Sequence, residues 1–261
     1  MPVSYSLLIS ITFIASAHAQ ENKQQQDNTW GLSIGQLLIS APVFTGSQEY
    51  EFNGSPIING YVNLSEQSTL FISESDIGLN YELSGRLSIG VLGNARAEEN
   101  RSKNKHINNL SNIDAAFEVG PYLSYQLTNQ LEIGINSLFD ASGTHDGWIT
   151  NFNASYEHLV PSDLITITTL AGLSYASSEY NNTYYDVKSS TTGTPQPALM
   201  SGLKNGFNSA TLGTVFSYKT SENTAIIGLI SITQLIGDAQ DSPIVKKNTL
   251  TAMGVGLVYT F

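Results

Sequence analysis

The chain has 261 residues and a formal net charge of −11, from 11 basic and 22 acidic side chains. Only 13% of residues are charged while 41% are hydrophobic, a balance that excludes a disordered acidic chain and a nucleic-acid binder, which needs a basic face. The absence of cysteine removes disulfide scaffolds, thiol nucleophiles and thiolate metal sites, and past the N-terminus no run approaches the ~18–20 unbroken apolar residues of a spanning helix.

In chain order, Leu7 to Ala17 form an apolar run of signal-peptide length, followed by the small-x-small site Ala17-His18-Ala19. Residues 1–19 therefore read as a signal peptide cleaved after Ala19, although no Lys or Arg precedes the apolar run; a membrane anchor is the alternative. Residues 20–29 form a polar lead-in, and 30–261 a single exported domain with no lipidation cysteine.

From Trp30 onward the periodicity is two. Ile77, Leu79, Tyr81 and Leu83 alternate with Gly78, Asn80, Glu82 and Ser84, and the same holds from Ile113 to Tyr125, from Leu131 to Asp140 and from Ile165 to Tyr175. About twelve such segments follow one another, near 30–40, 56–63, 68–73, 76–83, 86–96, 113–125, 130–140, 147–159, 163–175, 206–218, 224–235 and 249–261, many of them close to the 9–11 residues of a tilted membrane strand. No helical segment competes with them. Tight connections such as Leu127 to Asn129, Val160 to Ser162 and Lys219 to Asn223 alternate with long polar ones, 97–112 and 176–205. That asymmetry is the one that short periplasmic turns and long external loops give to an outer-membrane barrel.

A soluble sandwich could carry the same alternation, and composition separates the two. A soluble exterior ordinarily bears about 25% charged residues, whereas here one strand face is Ile, Leu, Val, Phe and Tyr and the other Glu, Asn, Ser and Thr. The expected fold is all-β: an antiparallel transmembrane barrel of about twelve strands with a polar lumen and a lipid-facing outside. Tyr61, Tyr81, Tyr125, Trp148, Tyr175 and Tyr259, near segment ends, suit an aromatic girdle. Met253, Val255, Leu257, Tyr259 and the terminal Phe261 share a face of the last strand. An aromatic residue closing a final strand resembles the insertion signal read by the bacterial barrel-assembly machinery, with Tyr259 and Phe261 as its carriers.

Three segments resemble the MipA/OmpV family: Pro42-Val43-Phe44-Thr45-Gly46-Ser47, the stretch from Leu110 through Asp114 to Gly120, and Gly237-Asp238-Ala239-Gln240-Asp241-Ser242-Pro243-Ile244-Val245, the most specific of them. Tyr184-Tyr185-Asp186-Val187 resembles a further aromatic element. Phe44 stands where Tyr is usual, and Thr260 where the C-terminal Y-x-F is often Y-R-F. The resemblance implies an outer-membrane barrel without enzymatic activity or cofactor, set in outer-membrane lipid. It also implies a scaffold role that brings together a lytic murein transglycosylase and a penicillin-binding protein.

Among charged residues, Glu82, Glu118 and Glu132 fall on inward faces, with Arg86, Arg96 and Asp114 near by in sequence. Such a set reads first as charge pairing that fills a narrow barrel, and otherwise as a solute or ion-selectivity site. His106, His145 and His158 read as solvated or interfacial, with no partners that would make a catalytic or metal site. Asp238, Asp241 and Ser242 lack the ligand spacing of a calcium loop and read as a turn before the final strand. The functional expectation is a structural scaffold at the cell envelope, and the alternative a narrow passive channel.

Overall fold

Period-two alternation resolves into a closed wall of antiparallel strands in a computed structural model that describes residues 29–101, 104–187 and 200–261. The expected signal peptide and the lead-in up to Asn28 lie outside the described residues. The strands are β1 (Trp30–Pro42), β2 (Tyr50–Asn63), β3 (Ser68–Ser73), β4 (Asp76–Ser84), β5 (Leu87–Arg96), β6 (Ala116–Gln126), β7 (Leu131–Asp140), β8 (Trp148–His158), β9 (Ile165–Ala176), β10 (Gly206–Lys219), β11 (Thr224–Leu235) and β12 (Thr249–Thr260). Each pairs with its neighbours in sequence, and β1 pairs with β12 to close the ring. Closure leaves no sheet edge at the seam, which a span through lipid requires.

The ring turns its apolar face outward. Ile34, Leu38, Ile77, Leu79, Val91, Val119, Leu123, Ile133, Leu212, Ile230, Val255 and Leu257 are all exposed. In water such a surface would drive aggregation; in a bilayer it is the matched one. Outward aromatics form two bands: Trp30, Tyr81, Tyr125, Tyr156, Tyr218 and Tyr259 towards the short-turn end, and Tyr50, Phe52, Phe117, Phe139, Trp148 and Phe207 towards the long-loop end. Two such bands mark the two membrane interfaces. Tyr61 departs from the expected girdle. It turns into the lumen, where its ring covers Gly31 so closely that a Cβ there would collide with Tyr61 Cε1.

Two strand starts and two helices differ from the sequence reading. β2 starts at Tyr50 and not near 56, because Gly54 and Pro56, which look like turn residues, lie within its pairing with β1. β6 starts at Ala116, and Ile113 makes an isolated bridge to Glu99. A helix, α1 (Ser178–Tyr185), stands in the loop after β9 that the sequence assigned no helix. Its sequence SEYNNTYY is poor in strong helix formers. Burial of its tyrosines and the Ser177 cap, which accepts from Tyr180 N–H at 3.2 Å, hold it instead. The expected turn at Asp238 is a single helical turn, α2 (Asp238–Asp241).

Candidate functional site

The two ends of the lumen differ. From mid-barrel to the short-turn end the inward side chains of β4 and β6–β9 are polar, with Asn80 accepting from Tyr122 Oη (2.6 Å) and Asn136 from Asn151 Nδ2 (2.9 Å) at mid-height. The facing wall on β1, β2, β11 and β12 is aliphatic and continues to the long-loop end, built from Leu37, Ile39, Ile57, Leu229 and Leu250. Towards the other end the loops fold inward and fill the barrel. Phe44, Ile107, Ile113, Tyr180, Tyr184, Tyr185, Val187, Leu203 and Ile244 pack with the inward Phe71, Leu92, Leu138 and Ile149 into one buried cluster. A packed apolar cluster of this kind excludes water.

Charge runs through this plug. Arg96 at the top of β5 grips Glu118 of β6 with two bonds, Nε to Oε1 and Nη2 to Oε2, each 3.0 Å, and the two side chains are 3% and 0% exposed. His145 joins them through Nε2, 3.0 Å from Glu118 Oε1. Its Nδ1 accepts from Gly147 N–H at 3.1 Å. The ring proton therefore sits on Nε2 and is donated to Glu118. The loop carrying His145 wraps the Asp140 carboxylate, which accepts from the N–H groups of Ser142 (2.8 Å), His145 (2.6 Å) and Asp146 (2.9 Å).

Two arginines fix α1 over this cluster. The Arg96 guanidinium carbon lies 5.2 Å from the Tyr180 ring centre and 5.7 Å from that of Tyr184, both within cation–π range. Arg101 donates from Nε to Glu99 (2.7 Å) and from Nη2 to the Tyr184 carbonyl in the last turn of α1 (2.8 Å), where a cation also meets the negative end of the helix. Burial pushes the Tyr180 phenol up to about 12 and those of Tyr184 and Tyr185 further still, so all three remain neutral hydroxyls.

The residues of the sequence motifs meet on the outer side of the plug. Gly46, at φ +92°, accepts through its carbonyl from the N–H groups of Lys246 (2.8 Å) and Lys247 (3.0 Å), and a Cβ there would strike Val245. Ser47 is buried and accepts from Glu49 N–H (2.9 Å). Gly237 has φ +57°, and a Cβ on it would lie 2.5 Å from the Phe207 carbonyl oxygen. Asp238 accepts from Lys204 N–H (3.0 Å), Ser242 donates to the Tyr185 carbonyl (2.6 Å), and the Pro243 carbonyl lies 3.2 Å from His106 Nε2. Asp241 is exposed and makes none of these links. Ser242→Ala is expected to cost about 1–2 kcal/mol, since it strips a buried carbonyl of its donor; urea unfolding of the protein in lipid vesicles reads the loss.

A family model described as MltA-interacting protein MipA matches residues 34–261, from within β1 through β12. The chain belongs to the MipA family. Among curated proteins, the chain is similar to outer membrane protein Omp26La of Vibrio anguillarum (30% identical over 122 residues, 47% of this chain and 46% of that one) and to OmpV of Vibrio cholerae (29%, with the same coverage). The match thus spans about half the length of these relatives. Solved structures similar to it include a bacterial polysaccharide outer membrane secretin (TM-score 0.45, 9% identity, 90% of this chain and 98% of that one) and the NanC porin (TM-score 0.43, 12% identity, 87% and 98%). Family membership, the closed ring and the apolar exterior make the chain an outer-membrane β-barrel protein.

Of the six charges expected in the lumen, the structure brings together Arg96 and Glu118 alone. Glu132 and Glu82 face inward, partly buried, towards the short-turn end. Arg86 and Asp114 do not reach the lumen: Arg86 lies exposed in the β4–β5 turn, and Asp114 lies exposed outside β6, which starts three residues later than the alternation suggested. His145, expected to be solvated or interfacial, has a side chain that is 0% exposed. Sequence reasoning missed it, and Arg101, Tyr180 and Tyr184 with it. Tyr184 lay within a segment that resembled the family, and that was the one available signal.

Proposed function

We propose that this protein is a non-catalytic, closed barrel whose role is structural, a scaffold in the outer membrane for murein-synthesising and murein-hydrolysing enzymes. The observation that carries the reading is the plug. Among the described residues, tyrosines and aliphatic side chains pack in the lumen around a buried Arg96–Glu118–His145 cluster, which supports a closed barrel over the wet path that a transport pore requires. The family description, an MltA-interacting protein, points to a murein transglycosylase as partner. The partner-facing surface is the short-turn rim, where Glu66, Arg86, Asp163 and Glu222 are exposed and where β1 receives the polar lead-in.

Pull-down from solubilised envelopes tests the partner. A murein transglycosylase and a penicillin-binding protein are expected to be enriched on the tagged protein relative to an unrelated barrel of similar size. Equal recovery on both would end the scaffold reading for this chain. A narrow passive channel is the second reading, favoured by the inward Glu82, Glu132 and Glu157 and the polar wall around them.

A further inference from the structure

The barrel wall is not equally tall all round. β3 has 6 residues where its neighbour β2 has 14. β2 pairs with β1 from Tyr50 to Val62 but with β3 only over Asn59–Asn63. The ladder ends where Glu74 N–H donates to the Ile58 carbonyl (2.8 Å). On the other flank β4 and β5 stop pairing at Asp76 and Asn94. A strand of 6 residues tilted by ~40° rises about 15 Å, against an apolar band ~25 Å tall. The β3–β4 tip, Glu74-Ser75, therefore ends about half-way up the lipid-facing wall. Above it, Asn104 Nδ2 donates to Glu49 Oε2 (3.0 Å), tying the β5–β6 loop to the β1–β2 loop. The result is a lateral window, bounded by β2, the β3–β4 tip, β5 and that tie, in the half of the wall nearer the long loops.

The chemistry of the window follows from strand parity. Asn63 N–H points to the β1 side, where it meets Thr29 O, and the Ile58 carbonyl points to the β3 side. Along β2 the even residues thus turn their N–H and C=O to the window. Pro56 has no N–H to present, as suits a proline on a strand edge, which leaves Phe52 and Gly54 as the donors. Around them the outer face is apolar and continuous with the lipid belt: Phe52 is 85% exposed, Ile77 48%, Ile58 41% and Ile72 39%. Just inside, Glu51 Oε1 and Asn53 Nδ2 are buried without hydrogen-bond partners. Bare hydrocarbon against this edge would leave the Phe52 and Gly54 donors unsatisfied, which is costly in lipid. A chain that carries a carbonyl at its head satisfies both halves of the site.

We propose that the window binds the ester- or amide-linked acyl chain of an outer-leaflet lipid, its carbonyl oxygen accepting from the N–H groups of Phe52 and Gly54 and its chain lying on Phe52, Ile58 and Ile72. The whole protein is reconstituted in phosphatidylcholine vesicles containing a small fraction of phosphatidylethanolamine with a diazirine on its acyl chain, and in a second arm a diazirine-bearing lipid A. After irradiation the adducts are mapped by mass spectrometry. With at least one probe, labelling at 50–58 and 72–77 is expected to exceed several-fold that of the equally outward Met253–Tyr259, and the probe that does so names the source. Lengthening the β3–β4 hairpin by two residue pairs should remove that excess and leave belt labelling intact. Gly54→Pro, which deletes one donor while leaving an edge strand its shape, should reduce it; heat-modifiable gel migration verifies that each variant folds. Labelling in proportion to exposure with both probes, or an excess that survives in both variants, overturns the proposal.

Discussion

Glu118→Ala is expected to destabilise the folded barrel by about 3–5 kcal/mol, the usual loss when one partner of a buried ion pair is removed. Glu118 is fully buried and accepts two bonds from Arg96 and one from His145. Its removal leaves a guanidinium without its counter-ion in a cluster of tyrosines and aliphatic side chains, where the field is poorly screened. The double variant Arg96→Met, Glu118→Leu should recover most of the loss, because no unpaired charge remains and the volume is kept. Urea unfolding in lipid vesicles, followed by the gel mobility of the folded form, gives both numbers. A Glu118→Ala loss of less than ~1 kcal/mol, the range of exposed pairs, would mean that water reaches the pair and that the plug is not packed as described.

The fold was legible in the sequence because a membrane barrel inverts the usual distribution of polarity strand by strand. Each outward Ile, Leu or Val is a separate vote for the same face, and a one-residue slip would turn all of them inward. The start of β2 was not legible, since Gly54 and Pro56 break strand propensity and are tolerated there by an edge that lacks a second partner. Charge at the centre of the plug was legible only by halves. Arg96 and Glu118 lie on strands whose parity gives their direction, and their register pairs Arg96 with Ala116 and Asn94 with Glu118, close enough for a long side chain to cross. His145 and Tyr180 lie in loops, where no periodicity reports direction. Their burial depends on how five segments fold over one another, and a single sequence carries no pattern for that.

The β9–β10 loop contributes Tyr180, Tyr184 and Tyr185 to the closed lumen, and removal of that loop separates the two functional readings. Ser178 N–H donates to Asn205 Oδ1 (2.6 Å), and Ala176 pairs with Gly206. The two ends therefore already stand where a two-residue Asn-Gly hairpin turn would join them. Replacing 178–204 by that turn removes Tyr180, Tyr184 and Tyr185 from the lumen and leaves the strand ladder intact. The intact protein is expected to be silent in a planar bilayer and the shortened one to show discrete unitary currents, as a barrel of twelve strands exceeds the ~8 that side chains alone can fill. Those currents should prefer cations, since Glu82, Glu132 and Glu157 face the lumen towards the short-turn end and Lys219 stands exposed at its rim. Glu132→Gln in the shortened protein should weaken that preference. Unitary currents from the intact protein would favour the channel and defeat the closed scaffold. A shortened protein that folds, by its gel mobility, and still passes no current would show that the remaining loops seal the barrel without α1.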